Sequence, residues 1–121
     1  MTIAPKTRYL MPQFDVTVVE DVTFLSLRNN KCERENLKLD LYLPTEDPLP
    51  VRPAVVWVHG GGFRPGNDKQ QVYIPMFAEA FASRGYVGIA PDYRVREDPR
   101  VDITGTIEDA VADLSSALAW I

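Results

Sequence analysis

Ala54, Val55, Val56, Trp57 and Val58 form the most apolar run in the chain, and His59, Gly60, Gly61 and Gly62 follow it without a break. A segment apolar on both faces fits a central parallel strand covered by helices on each side. Three glycines directly after it leave backbone N–H groups uncovered, because no Cβ blocks a ligand's approach. The junction therefore asks for a buried strand that empties into a bare turn. That turn either cradles an anion or makes a tight structural corner. His59 within it is the only histidine in the protein.

The remaining elements arrange themselves around this junction. Residues 1–12 hold Pro5 and Pro12 without a sustained period and read as an extended arm. Phe14, Val16 and Val18 alternate with Asp15, Thr17 and Val19, and residues 22–27 form a second β-branched run, so two strands of a half-exposed antiparallel edge are expected. Asn29 and Asn30, which tolerate left-handed backbone, mark a polar turn over residues 28–36. Leu37, Leu39, Leu41 and Leu43 then alternate with Lys38, Asp40 and Tyr42, a strand with one buried face that stops at Pro44. Pro48, Pro50 and Pro53 stiffen the connection to residues 54–58.

Beyond the glycines, Tyr73, Met76, Phe77, Ala80 and Phe81 recur three and four apart within residues 70–84, an amphipathic helix. Pro75 fits only its first turn, so the regular part starts near Ile74 and Gly85 ends it at C′. Residues 86–90 are a further short apolar strand closed by Pro91. Ile107, Ala110, Val111, Leu114, Ala117, Leu118 and Ile121 make one stripe of a last helix, for which Thr106 and Asp109 suggest a capping box. The order β-β-β-α-β-α implies a single α/β domain over residues 1–121. Its sheet is mixed: antiparallel leading strands, then a βαβ unit, ending before the further parallel strand that the last helix should deliver.

Bulk properties exclude several classes of function. A net charge of -4 supplies no basic stripe for nucleic-acid phosphates. No run approaches the roughly 20 apolar residues of a membrane span. Met1 to Pro12 lacks the apolar core of a secretory signal, so the expectation is a cytoplasmic chain, or one whose signal was removed before residue 1. Cys32 is the single cysteine, which fits a reducing compartment and offers no internal disulfide.

The glycine turn fails two nucleotide motifs. A dinucleotide fingerprint needs a third glycine where Pro65 stands. Gly61 and Gly66 have phosphate-loop spacing, but Asn67 and Asp68 occupy the positions of its Lys and Ser or Thr. What survives is an oxyanion hole. Attack on an ester carbonyl places negative charge on oxygen, and each pre-aimed N–H donor is worth roughly 3–4 kcal/mol by the effect of removing one. A strand ending in His-Gly-Gly-Gly ahead of a helix is the form this loop takes in lipases and esterases.

Four segments in register carry a resemblance: residues 39–44, 55–63 and 90–94, with Asp113, Ala117 and Trp120 in the last helix. Over roughly residues 20–121 the chain resembles the N-terminal half of an α/β-hydrolase of the carboxylesterase and hormone-sensitive-lipase type. The resemblance implies that Gly61 and Gly62 donate the oxyanion N–H groups, that Gly60 shapes the turn, and that His59 is loop scaffold. It implies an ester substrate and no cofactor or metal.

Other candidates have structural readings. Asp92 and Arg94 form an expected ion pair holding the following loop. Asp109 and Asp113, four apart, are better explained by helix capping and a solvated face than by a metal. Phe63, Arg64 and Tyr93 are candidates for a pocket mouth and equally for packing. The departure from the family lies in the nucleophile: Ser26, Ser83, Ser115 and Ser116 are the only serines, none flanked as in G-x-S-x-G, and no later histidine follows. The expectation is an esterase half that is inactive as this chain alone, completed by a complementary C-terminal chain. The alternative is a non-catalytic binding or assembly module that self-associates through an open strand edge.

Overall fold

The computed structural model describes residues 7–121. Its elements are β1 (Val16–Arg28), β2 (Arg34–Pro44), β3 (Ala54–Val56), α1 (Tyr73–Ala82), β4 (Val87–Pro91) and α2 (Ile103–Trp120). The strands form one sheet in the order β1-β2-β4-β3. β1 and β2 pair antiparallel, β2 and β4 pair antiparallel, and β3 and β4 pair parallel. The fold is thus α/β with the expected mixed sheet.

Two expected front strands are one. The register between β1 and β2 shifts between Val19 and Val22, where Asp21 takes φ 57° and its N–H donates to Asp40 Oδ1 at 2.9 Å. The bulge absorbs the break in alternation that had separated the two runs. In the hairpin turn the left-handed residue is Cys32 (φ 59°), not an asparagine. Asn29 acts through its side chain, accepting from the N–H groups of Lys31 and Glu33 at 2.9 and 3.1 Å.

The buried faces differ from the periodic expectation in three places. In β2, Leu37 and Leu39 are buried, but so are Asp40 and Tyr42, because this strand has neighbours on both sides and α1 covers its second face. In α1 the buried side chains are Ile74, Ala78 and Ala82, whereas Tyr73, Met76 and Phe77 stay exposed. The reason is close approach. A Cβ on Gly88 would lie 3.1 Å from that of Tyr42 and 3.4 Å from that of Ala78, so only small side chains fit between helix and sheet. The bulkier residues pack along the helix flank: Phe77 stacks on Trp57 at 5.8 Å and Phe81 meets the same ring edge-on at 5.0 Å. In α2, Thr106, Ala110, Asp113 and Ala117 are buried, while Ile107, Val111 and Leu118 of the apolar stripe are exposed.

Helix ends also move. α2 begins three residues early, capped by Asp102, whose side chain accepts the Gly105 N–H at 3.0 Å. Thr106 is inside the helix with its hydroxyl on the Asp102 carbonyl, so the capping box at Thr106 and Asp109 is replaced. α1 ends at Ala82 with Ser83 as its C-cap, so Gly85, at φ 103°, stands one place beyond C′. Of the arm expected over residues 1–12, residues 1–6 lie outside the described residues. Residues 7–12 turn back on the end of α1, where Tyr9 N–H donates to Arg84 O at 2.9 Å and Arg8 pairs with Asp47.

The contact between α1 and β4 sets a clear expectation. Ala78→Leu inserts three carbons where Gly88 already marks the limit, and should cost about 1–3 kcal/mol of stability. Urea denaturation of the variant against the parent measures it.

Candidate active site

Among the described residues β3 pairs with β4 alone, and its other edge is the open one expected from the sequence. The parallel ladder runs one step past the strand, since Trp57 N–H donates to Ile89 O at 2.8 Å. The chain then turns. His59 is buried and its ring stacks on Tyr93 at 4.2 Å between centroids, 6° from parallel. The Tyr93 hydroxyl donates to the His59 carbonyl at 2.7 Å. Burial pushes the Tyr93 pKa up, which keeps this donor protonated.

His59 Nδ1 lies 2.9 Å from the Gly60 carbonyl, which can only accept, so Nδ1 carries the hydrogen. Nε2 is buried without a hydrogen-bond partner and sits 3.8 Å from Asp92 Oδ1. No described serine hydroxyl bonds to this ring. Ser83 Oγ donates to Ala80 O, Ser115 Oγ to Val111 O and Ser116 Oγ to Ala112 O, while Ser26 pairs with Asn36.

The three glycines are held differently. Gly60 is fixed at both backbone ends: its N–H donates to Gln71 Oε1 and to the Tyr73 hydroxyl, each at 3.0 Å, and its carbonyl accepts from Gln71 Nε2 at 2.9 Å. Gly61 takes φ 116°, and a Cβ there would fall 2.1 Å from Asn67 Cγ. Gly62 takes φ 66° with nothing within 4 Å of a Cβ. Among the described residues, neither the Gly61 nor the Gly62 N–H has a hydrogen-bond acceptor.

A cavity of about 350 Å³ opens beside the turn. Gly60, Gly62, Phe63 and Tyr93 line it together with Ile107 and Leu114 of α2. Gly61 and Arg64 are not among its lining residues, so of the three mouth candidates Phe63 and Tyr93 line it and exposed Arg64 does not.

The charged residues regroup. Asp92 and Arg94 do not pair. Asp92 Oδ1 accepts the Lys69 N–H at 2.8 Å, while Arg94 grips Asp113 through Nε and Nη2, both at 2.9 Å at their closest. Asp113 is fully buried, so it anchors α2 to the chain after β4 instead of facing solvent. Asp109 pairs with Arg96 at 2.8 Å. No cluster of metal-ligating side chains occurs among the described residues. Asn67, Lys69, Gln71 and Tyr73 surround the turn; the sequence gives Lys69 and Gln71 no role, places Tyr73 in a helix stripe and uses Asn67 only to exclude a phosphate loop. No local signal marks them, since Asp40, the buried partner of Lys69, falls on the polar side of the leucine alternation.

The BD-FAE family profile matches residues 39–121. The chain belongs to the BD-FAE family. It is similar to the crystal structure of Thermogutta terrifontis esterase 2 phosphonylated by cyclosarin, with 32% identity and a TM-score of 0.60 over 91% of this chain and 36% of that one. Esterase B from Lactobacillus rhamnosis shares the fold at 24% identity and a TM-score of 0.61, covering 95% of this chain and 33% of that one. The chain carries part of a carboxylesterase-type α/β-hydrolase fold and spans about a third of the length of these esterases. No helix among the described residues is long and apolar enough to cross a membrane.

Asp92 supplies a pH test. Burial raises its pKa above the ordinary carboxylate value, with the Lys69 N–H and charge opposing that shift. An acid whose folded pKa exceeds its unfolded value stabilises most below the unfolded pKa. That contribution is lost as pH rises through the folded pKa. Asp92→Asn keeps an acceptor for Lys69 N–H and removes the desolvated charge. We expect a higher Tm than the parent at pH 7 and convergence of the two near pH 4, read by thermal unfolding across pH.

Proposed function

We propose that this chain supplies the oxyanion half of a serine carboxylic-ester hydrolase. The observation that carries the reading is the pair of N–H groups at Gly61 and Gly62, which have no acceptor among the described residues and lie in the turn beyond β3. Hydrogen-bond donors held ready in a shaped turn favour an oxygen that gains charge in the transition state over the neutral carbonyl it started as. The BD-FAE membership and the esterase relatives support the same reaction class.

In this reading His59 is scaffold. Its Nδ1 bonds Gly60 O, its ring stacks on Tyr93 and no described serine hydroxyl reaches its Nε2, so the imidazole fixes the turn. Gly60 shapes the turn through Gln71 and Tyr73. A serine nucleophile, its histidine and its acid come from polypeptide outside these 121 residues. Serine attack on the ester carbonyl then gives a tetrahedral intermediate whose oxygen takes the N–H groups of Gly61 and Gly62. The substrate is a small-molecule ester.

Purified 121-residue chain should hydrolyse p-nitrophenyl butyrate no faster than its Gly62→Val variant. Mixing it with a polypeptide carrying the remaining two-thirds of a related esterase should restore turnover, and Gly62→Val should abolish that restored rate. Hydrolysis by the chain alone above the variant, or restored activity indifferent to Gly62→Val, counts against the reading.

One observation favours the alternative of a non-catalytic assembly module: β3 is paired on one side only, and exposed Val58 and Phe77 lie beside it. An unpaired apolar edge invites another strand. This alternative expects an oligomer that Val55→Lys disperses. A monodisperse monomer in light scattering at high protein concentration eliminates it.

A further inference from the structure

Between the glycine turn and α1 the chain crosses residues 60–73 with a single buried side chain, and that side chain is a lysine. Lys69 is 6% exposed. Its Nζ lies 2.8 Å from Asp21 Oδ1 and 2.9 Å from Asp40 Oδ1. Asp40 is fully buried in β2 and its remaining oxygen accepts Gln70 Nε2 at 2.6 Å. Lys69 is gripped at its other end as well, because its backbone N–H donates to Asp92 Oδ1 at the end of β4. One residue thus ties this segment to β2, to the bulge of β1 and to the exit of β4.

The residues two positions to either side carry that fixation to the turn. Asn67 fills the volume that a Cβ on Gly61 would need and donates to Gly61 O at 3.3 Å. Gln71 bonds both the N–H and the carbonyl of Gly60, and its Nε2 also reaches Asn67 Oδ1 at 3.2 Å. Neither Asn67 nor Gln71 is itself buried, so their placement depends on the residue between them.

We propose that Lys69 is a positioning residue for the glycine turn: its ion pairs with Asp40 and Asp21 hold Asn67 and Gln71 where they set the backbone of Gly60 and Gly61. Lys69 touches no reacting group and acts only through these two amides. The geometric claim stands without the oxyanion reading, and its value to catalysis rests on that reading. An ion pair that merely holds the domain together would weaken every protected amide in step.

Amide hydrogen exchange of the full 121-residue chain, followed by NMR, separates the two. The reporter is Gly60 N–H, bonded to Gln71 and Tyr73. The references are Trp57 N–H and Val87 N–H, bonded to Ile89 O at 2.8 Å and Pro53 O at 3.0 Å. In Lys69→Met, Gly60 should exchange at least about tenfold faster while both references keep their rates. Should the single variant not fold, with Asp40 left buried and unpaired, Lys69→Met combined with Asp40→Leu removes both charges and is read in the same way. Gly60 exchange unchanged in a folded variant, or accelerated only as much as Trp57 and Val87, overturns the proposal. Because no ester chemistry enters the readout, fast Gly60 exchange in Lys69→Met alongside a complemented parent chain that stays inactive would sink the catalytic reading alone.

Discussion

β4 is the strand on which the two halves of the sheet depend. It pairs antiparallel with β2 through Gly88 to Pro91 and parallel with β3 through Val87 to Ile89. A strand with partners on both edges has its backbone groups satisfied. Gly88 and Ala90 keep that strand slim, and α1 can therefore settle on it with Ile74, Ala78 and Ala82 in the interface. A larger residue at either surface would lift the helix away and loosen the aromatic row of Trp57, Phe77 and Phe81 along its flank.

The candidate site sits where these elements end. His59 leaves β3, Tyr93 leaves β4, and the two rings stack with the tyrosine hydroxyl on the histidine carbonyl. Arg94 follows and clamps Asp113 of α2, the helix whose Ile107 and Leu114 line the cavity. Parallel strands project their C-terminal ends in one direction, so the turn after β3 and the loop after β4 are neighbours by topology. The polar contacts then specify what topology only brings close.

Local periodicity made most elements legible. Residues 37–43 and 86–90 alternate or run apolar as strands do, residues 73–82 and 107–121 repeat as helices do, and the glycine turn pointed to a family that the BD-FAE match bears out. Facts set by distant partners were not legible. Asp113 looked solvated because Arg94 is nineteen positions away, and Asp40 looked exposed because Lys69 comes after the whole of β3 and the glycine turn. The apolar stripe of α1 pointed at Phe77 and Met76, because bulk signals burial in a sequence, whereas the sheet at Gly88 admits only small side chains.

Gly61 and Gly62 share a left-handed backbone angle but differ in the space around them. At position 61 the space is already taken by Asn67; at position 62 the space is open and only the backbone angle disfavours a side chain. The first glycine is therefore a statement about a residue six positions downstream, and the second about what can approach from outside. A search for relatives that weighs the two glycines equally blends a packing rule with an access rule. Scoring position 61 jointly with position 67, and position 62 by itself, would keep the two signals apart.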